Sequence, residues 1–125
     1  MCGISGFIGK KKYFPNKKKI HECINLMKRR GPDNQSFKKI EKKISYLLCS
    51  SRLSIIDLND RSNQPFEDDN GILVFNGEIY NYLEIKNELK KKGVKFKTNS
   101  DTEVLLKFLD YEGEENLSKL DGMWA

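Results

Sequence analysis

"MCGISGFIG" (residues 1–9) sets a cysteine directly behind the first methionine and follows it with glycines at 3, 6 and 9 among apolar residues. Glycine in an extended run lets neighbouring backbone approach closely, so the segment from Cys2 to Gly9 reads as a first strand. The cysteine at its head carries the chemical question. Loss of Met1, which the small side chain of Cys2 favours, leaves a thiol and a free α-amine on one residue. A thiol titrates near about 8.5 and an α-amine near about 7.7–8.0, so the amine is substantially neutral and can take the thiol's proton, directly or through water. Nucleophile and base then share one residue, as in N-terminal threonine enzymes. With Met1 retained the amine is an amide and the mechanism fails.

Outward from this strand, Ile20, Ile24 and Met27, with Cys23 beside them, have helical spacing, and Gly31 and Pro32 in "RGPD" (residues 30–33) end that helix. "KISYLLCSSRLSIIDL" (43–58) alternates as one or two strands, with Ile44, Tyr46 and Leu48 on one face. "GILVFNG" (71–77) predicts a short buried strand ending at Asn76 and Gly77. In "NYLEIKNELKKKG" (81–93), Asn81 is the expected cap with Glu84 answering it, Tyr82, Ile85 and Leu89 the inward stripe, and Gly93 the left-handed exit. In "NSDTEVLLKFLDYEG" (99–113), Ser100 caps and Glu103 answers, with Val104, Leu105, Phe108 and Leu109 inward. "VKFK" (94–97) predicts a short strand between these helices. A brief helix around Leu117 and Leu120 leads into "GMWA" (122–125), which reads as the start of an apolar strand. Ending there leaves pairing groups without partners, so the expectation is the front part of something longer.

A length of 125 residues with 38% hydrophobic and 10% aromatic content suits one soluble globular unit. No apolar run approaches the roughly 20 residues that span a bilayer. The basic run Lys10–Lys12 follows the apolar opening, the reverse of a secretory signal. Three cysteines without paired spacing point to a reducing compartment, and the cytoplasm is the expectation. The net charge of +5 comes mostly from lysines near turns and helix ends, interleaved with Glu41, Glu84 and Glu88. That pattern is a solvated surface and not the arginine- and aromatic-rich face of a nucleic-acid reader. His21, the single histidine, sits on a polar helix face; Cys23 and Cys49 read as core positions, and no zinc-type cluster exists.

Acyl transfer needs donors aimed at a developing oxyanion, and "FNGEIYN" (75–81) offers the Asn76 side-chain amide and the Gly77 N–H. Arg52 in "SRLSI" can grip a carboxylate through two parallel N–H bonds. Asp101 and Glu78 can hold an ammonium. One arginine, two acids, one amide and one terminal thiol suffice for an amide hydrolase acting on a free amino acid. Each also has a plain structural reading when taken alone. Asn76–Gly77 can be a hairpin turn, Asp101 a first-turn acid on a helix dipole, Arg52 and Glu78 a surface pair, and Asp33 a turn residue.

Together, "MCGISGFIG", "RGPD", "RLSIIDL", "QPF", "FNGEIYNY", "SDTEVLL" and "LDGMWA" resemble, in order and spacing across essentially the whole chain, the glutamine amidotransferase domain of glutamine-hydrolysing (class II) asparagine synthetases. The resemblance implies an α+β fold, the N-terminal-nucleophile hydrolase four-layer αββα sandwich with antiparallel sheets, shortened on its C-terminal side. It makes residues 1–125 the N-terminal part of a type-2 amidotransferase domain. It implies Cys2 as nucleophile, Arg52 on the glutamine α-carboxylate, and the backbone of Leu53, Ser54, Ile55 and Ile56 lining that site. Asn76 and Gly77 match the oxyanion hole, and Glu78 and Asp101 the residues that orient the α-amino group. Arg30–Asp33 resembles a loop that shapes the glutamine pocket.

The implied chemistry is hydrolysis of L-glutamine to glutamate and ammonia through a thioester. No metal or other cofactor is implied in this part. A C-terminal synthetase domain would use ATP and Mg2+ to amidate aspartate with the released ammonia. The resemblance implies no membrane or specific nucleic-acid partner and allows a homodimer. Ser50 and Ser51 depart from the family's common histidine and glutamate before the arginine, an expected change in pocket electrostatics. Trp124 replaces the usual phenylalanine, an expected packing change. Two alternatives stay open: an amidotransferase of the same branch acting on another carboxylate, and a truncated, non-catalytic glutamine-binding domain.

Overall fold

The computed structural model describes residues 2–125. It is a mixed α+β arrangement in which every strand pairing is antiparallel. The first sheet has the order β1-β3-β2, built from β1 (Gly3–Gly9), β2 (Asn34–Ile40) and β3 (Ser45–Arg52). Its register pairs Gly3 with Ser51 and Asn34 with Arg52, which sets Cys2 across from the end of β3. Helix α1 (Lys17–Met27) opens on Asn16, whose side chain accepts from the Lys19 N–H at 3.0 Å. It packs Ile20 and Ile24 onto Leu47 and Cys49, with Phe7, Phe14, Met27 and Phe37 around them. The face of β3 that meets α1 is therefore Leu47 and Cys49. Tyr46 and Leu48, on the other face, are half-buried, and Ile44 lies exposed before the strand. Cys49 is buried as expected, whereas Cys23 is half-buried with its Sγ 3.3 Å from Ser5 Oγ.

A second core gathers Phe75, Ile79, Ile85, Leu89, Val104, Leu105, Phe108 and Leu120. It lies between α2 (Tyr82–Lys91), α3 (Asp101–Glu112) and the short strands. Two strand pairs complete the described residues: β4 (Phe66–Glu67) with β5 (Ile72–Leu73), and β6 (Gly77–Ile79) with β7 (Gly122–Trp124). Each buried Leu, Ile or Phe in such a core contributes about 1.5–3 kcal/mol.

Several expectations are revised. Strand β2 is not among the expected strands: "NQSFKKI" carries no apolar alternation and is held by pairing to β3 more than by burial. "GILVFNG" is not one buried strand: only Ile72–Leu73 joins a ladder there, and pairing resumes where the backbone of Asn76 exchanges bonds of 3.1 and 2.9 Å with Ala125. "VKFK" forms no strand. Its backbone is satisfied by helices instead, Val94 N–H donating to Leu89 and Lys97 N–H to Glu103, while Val94 and Phe96 pack on the second core.

Both predicted capping boxes change partners. The Asn81 side chain bridges to the Lys119 carbonyl and the Asp121 N–H, each at 2.9 Å, and so ties α2 to β7 instead of capping its own helix. Ser100 does cap α3, accepting from Thr102 at 3.2 Å. Glu103, only 1% exposed, reaches past it to the Lys97 and Thr98 N–H groups at 2.8 and 2.6 Å. Gly93 leaves α2 at φ +91°, the left-handed exit expected of it. No helix among the described residues is long and apolar enough to cross a membrane.

Candidate active site

One pocket lies between the two cores, with a free volume of about 80 Å³. From the first sheet come Cys2, Arg52, Leu53, Ile55 and Ile56. From the opposite side come Phe75, Gly77, Glu78 and the start of α3, Ser100 to Thr102.

Cys2 meets the pocket because the β1–β3 register carries it past Ser51. Its Sγ accepts from the Leu53 N–H at 3.4 Å and lies 3.7 Å from the Leu53 carbonyl, while Arg30 Nε donates to the Cys2 carbonyl at 3.0 Å. The loss of Met1, on which the amine's role depends, lies outside the described residues.

Arg52 is 4% exposed. Its guanidinium donates to Asn63 Oδ1 at 2.9 Å and to the Ile56 and Asp57 carbonyls at 3.0 and 2.7 Å. It forms no ion pair among the described residues. A surface pair with Glu78 is thereby replaced by a buried cation held by neutral oxygens, an arrangement that is costly without an anion.

Across the pocket, Asp101 is 6% exposed and takes the Ile79 N–H at 3.2 Å. Burial pushes its carboxyl above the ordinary value and the nearby Glu78 charge adds to this, with the Ile79 N–H opposing. One wall thus carries an uncompensated guanidinium and the other two carboxyl groups, the charge pattern of a free amino acid seen from outside.

Asn76 and Ser54 do not line the pocket. The Ser54 N–H is taken by Asp33 Oδ2 at 2.8 Å, so "RGPD" holds the loop after Arg52 in shape. The Asn76 amide makes no hydrogen bond among the described residues, and its Oδ1 is buried without a partner. A buried polar group left unpaired costs about 1–3 kcal/mol and calls for an explanation such as a ligand.

Gly77 is forced by its neighbour strand. A Cβ there would sit 2.3 Å from the Met123 carbonyl oxygen and 2.6 Å from Trp124 Cα. Ser50 and Ser51, both fully buried, stand off the pocket: Ser51 Oγ donates to the Gly31 carbonyl at 2.7 Å. Trp124 is 42% exposed among the described residues.

Sequence reasoning missed Gln64. Its buried side chain donates to Thr102 Oγ1 at 3.3 Å and accepts from the Phe75 N–H at 2.6 Å, which braces the pocket's floor. The motif "QPF" was its only signal. Asn63 and Asp57, which hold Arg52, gave none that pointed to their contacts.

A family model described as "Glutamine amidotransferase domain" matches residues 1–125. The chain belongs to this family. The amidotransferase domain is 39% identical over its whole length to asparagine synthetase [glutamine-hydrolyzing] 1 of Bacillus subtilis, of which it covers 20%. It is 37% identical to a putative asparagine synthetase [glutamine-hydrolyzing] 2 of Methanocaldococcus jannaschii, covering 27% of that protein. A probable asparagine synthetase [glutamine-hydrolyzing] of Acanthamoeba polyphaga mimivirus is 38% identical, with 23% covered. The amidotransferase domain thus spans between a fifth and about a quarter of these relatives' length, and matches all of them across its own.

Proposed function

We propose that this chain is the glutamine-hydrolysing part of an asparagine synthetase-like enzyme, a type-2 domain over residues 1–125 of the N-terminal-nucleophile sandwich architecture. The observation that carries this is the pocket's charge pattern beside Cys2: buried Arg52 without a carboxylate partner faces Glu78 and Asp101. An α-carboxylate would complete the first and an α-ammonium the second, leaving the side-chain amide for the thiol.

In this reading, the α-amine of processed Cys2 takes the thiol proton and Sγ attacks the glutamine δ-carbonyl carbon. The N–H of Gly77, which lines the pocket, stabilises the oxyanion; the Asn76 side-chain N–H, off the lining, is the second donor that the family resemblance implies. The α-ammonium of Cys2 returns the thiol proton to the amide nitrogen as the oxyanion collapses, which expels ammonia and leaves a glutamyl thioester that water hydrolyses to glutamate and free thiol. Ammonia that reached open water would mostly protonate and lose its nucleophilicity, which favours its delivery to a synthetase domain in the same polypeptide. Amidation of aspartate there would draw on ATP and Mg2+. The three cysteines are free, which fits a reducing cytoplasm.

The test is glutamine-dependent glutamate release by the full-length protein. Cys2→Ala should abolish it and leave ammonia-dependent amidation intact, and intact-mass analysis should show the wild type without Met1. Glutamate release that persists in Cys2→Ala would refute the assignment.

A further inference from the structure

The pocket has two walls on separate cores, and a zwitterion can bridge them only if their spacing is fixed. Asp57 joins the two. Its carbonyl accepts from Arg52 Nη2 at 2.7 Å, and its Oδ2 accepts from the Asn99 N–H at 2.7 Å, two residues before Asp101. The side chain is 6% exposed and also takes the Asn59 N–H at 3.2 Å and Arg61 Nη2 at 3.3 Å. The residue sits at φ +52°, a left-handed conformation that aspartate tolerates better than most side chains.

The loop that Asp57 grips is stiff on its far side. The buried Lys86 donates from Nζ to the Thr98 carbonyl at 2.7 Å and to Asn99 Oδ1 at 3.1 Å, and Glu103 holds the Lys97 and Thr98 N–H groups. Lys86 and Glu103 therefore fix residues 97–99 to α2 and α3, and Asp57 fixes Arg52 to residue 99. Gln64 also bonds to the second wall, donating to Thr102 Oγ1 at 3.3 Å and accepting from the Phe75 N–H at 2.6 Å, but both of its bonds are uncharged. The Asn99 N–H also holds the Asp57 carboxyl below its ordinary range, so the tie is charged at neutral pH.

We propose that Asp57 is a positioning residue for the amino-acid end of the substrate, locking the Arg52 wall to the Asp101 wall at the separation a free α-amino acid needs. The proposal rests on the glutamine reading above and adds a residue that touches no reacting atom.

In the full-length protein, Asp57→Gly removes the carboxylate while glycine accepts the positive φ without strain. The KM for glutamine should rise about tenfold or more while kcat changes less than threefold, because the groups set adrift bind the non-reacting end. The penalty for a glutamine analogue lacking the α-amino group, measured against glutamine, should shrink at least threefold. Asp57→Asn keeps an acceptor for the Asn99 N–H and should hold KM within threefold of wild type. Glutamine protection of Cys2 against iodoacetamide gives the same comparison without turnover, and Asp57→Ala substitutes if the glycine variant does not fold. An unchanged KM in Asp57→Gly, an unchanged analogue penalty, or an Asp57→Asn variant as impaired as Asp57→Gly would overturn the proposal. Wild-type protein without Cys2-dependent glutamine hydrolysis would instead remove the functional reading and this inference with it.

Discussion

Substituting Gly77 by alanine is the sharpest probe of the proposed oxyanion hole, because its consequence follows from distances alone. The new methyl carbon would lie 2.3 Å from the Met123 carbonyl oxygen and 2.6 Å from both Trp124 Cα and Cβ. Moving the first contact out to the 3.4 Å at which ordinary van der Waals contact begins requires about 1.1 Å of separation. Two of the three obstructing atoms are backbone, so no side-chain rotation relieves the clash, and β6 must move away from β7. Catalytic groups must be held within about 0.5 Å, and a displacement near 1 Å costs about 100-fold. Losing one oxyanion donor costs about 100- to 1000-fold. The two routes agree, so Gly77→Ala should lower kcat for glutamate release by about 100- to 1000-fold. The assay is glutamate release at saturating glutamine by the full-length protein, with a thermal melt to confirm folding. A folded Gly77→Ala protein with kcat within threefold of wild type would refute the argument that β7 fixes the Gly77 N–H.

Two further predictions concern the walls of the pocket. Arg52→Lys keeps the charge but loses the planar fork that now makes three bonds, and charged hydrogen bonds contribute about 1.5–3 kcal/mol. The KM for glutamine should rise roughly 10- to 150-fold, and a rise below threefold would exclude the carboxylate role. Asp101→Asn should abolish glutamine saturation yet stabilise the fold at neutral pH, by about 0.5–2 kcal/mol. The sign follows from burial: the folded state binds this proton more tightly than the unfolded chain, so stability falls as pH rises from about 3.9 to the raised folded value. The variant should flatten that part of a pH–melting profile; a variant less stable than wild type at neutral pH contradicts it.

Part of the candidate site was legible in the sequence because its residues are chemically specialised: Cys2, Arg52 and Gly77 line the pocket, and Asn76 does not. A second-position cysteine, an arginine after a strand and an Asn-Gly pair after an apolar run carry their chemistry wherever they are placed. The helices were equally readable, since α1, α2 and α3 follow their apolar periodicity. What escaped was set by distant partners. Asn81 looks like a cap from local spacing, but Lys119 and Asp121 compete for its amide through the fold. Glu103 is drawn past Ser100 for the same reason, to N–H groups that a missing strand leaves free. Strand β2 offers no hydrophobic pattern because its place comes from ladder bonds, which any residue but proline can make. Gln64 and Asp57 act through contacts 38 and 42 residues away, which no local window contains.

The pocket sits where two separately packed cores meet, and few side-chain bonds cross that seam. An amino acid lodged there, anchored to both sides, would act as mortar between two blocks of masonry. Any ligand that binds only the assembled form raises resistance to unfolding as its concentration climbs. Scarcity of the nitrogen donor would then do more than idle the catalyst: it would leave the joint unfilled and shorten the molecule's survival against proteases.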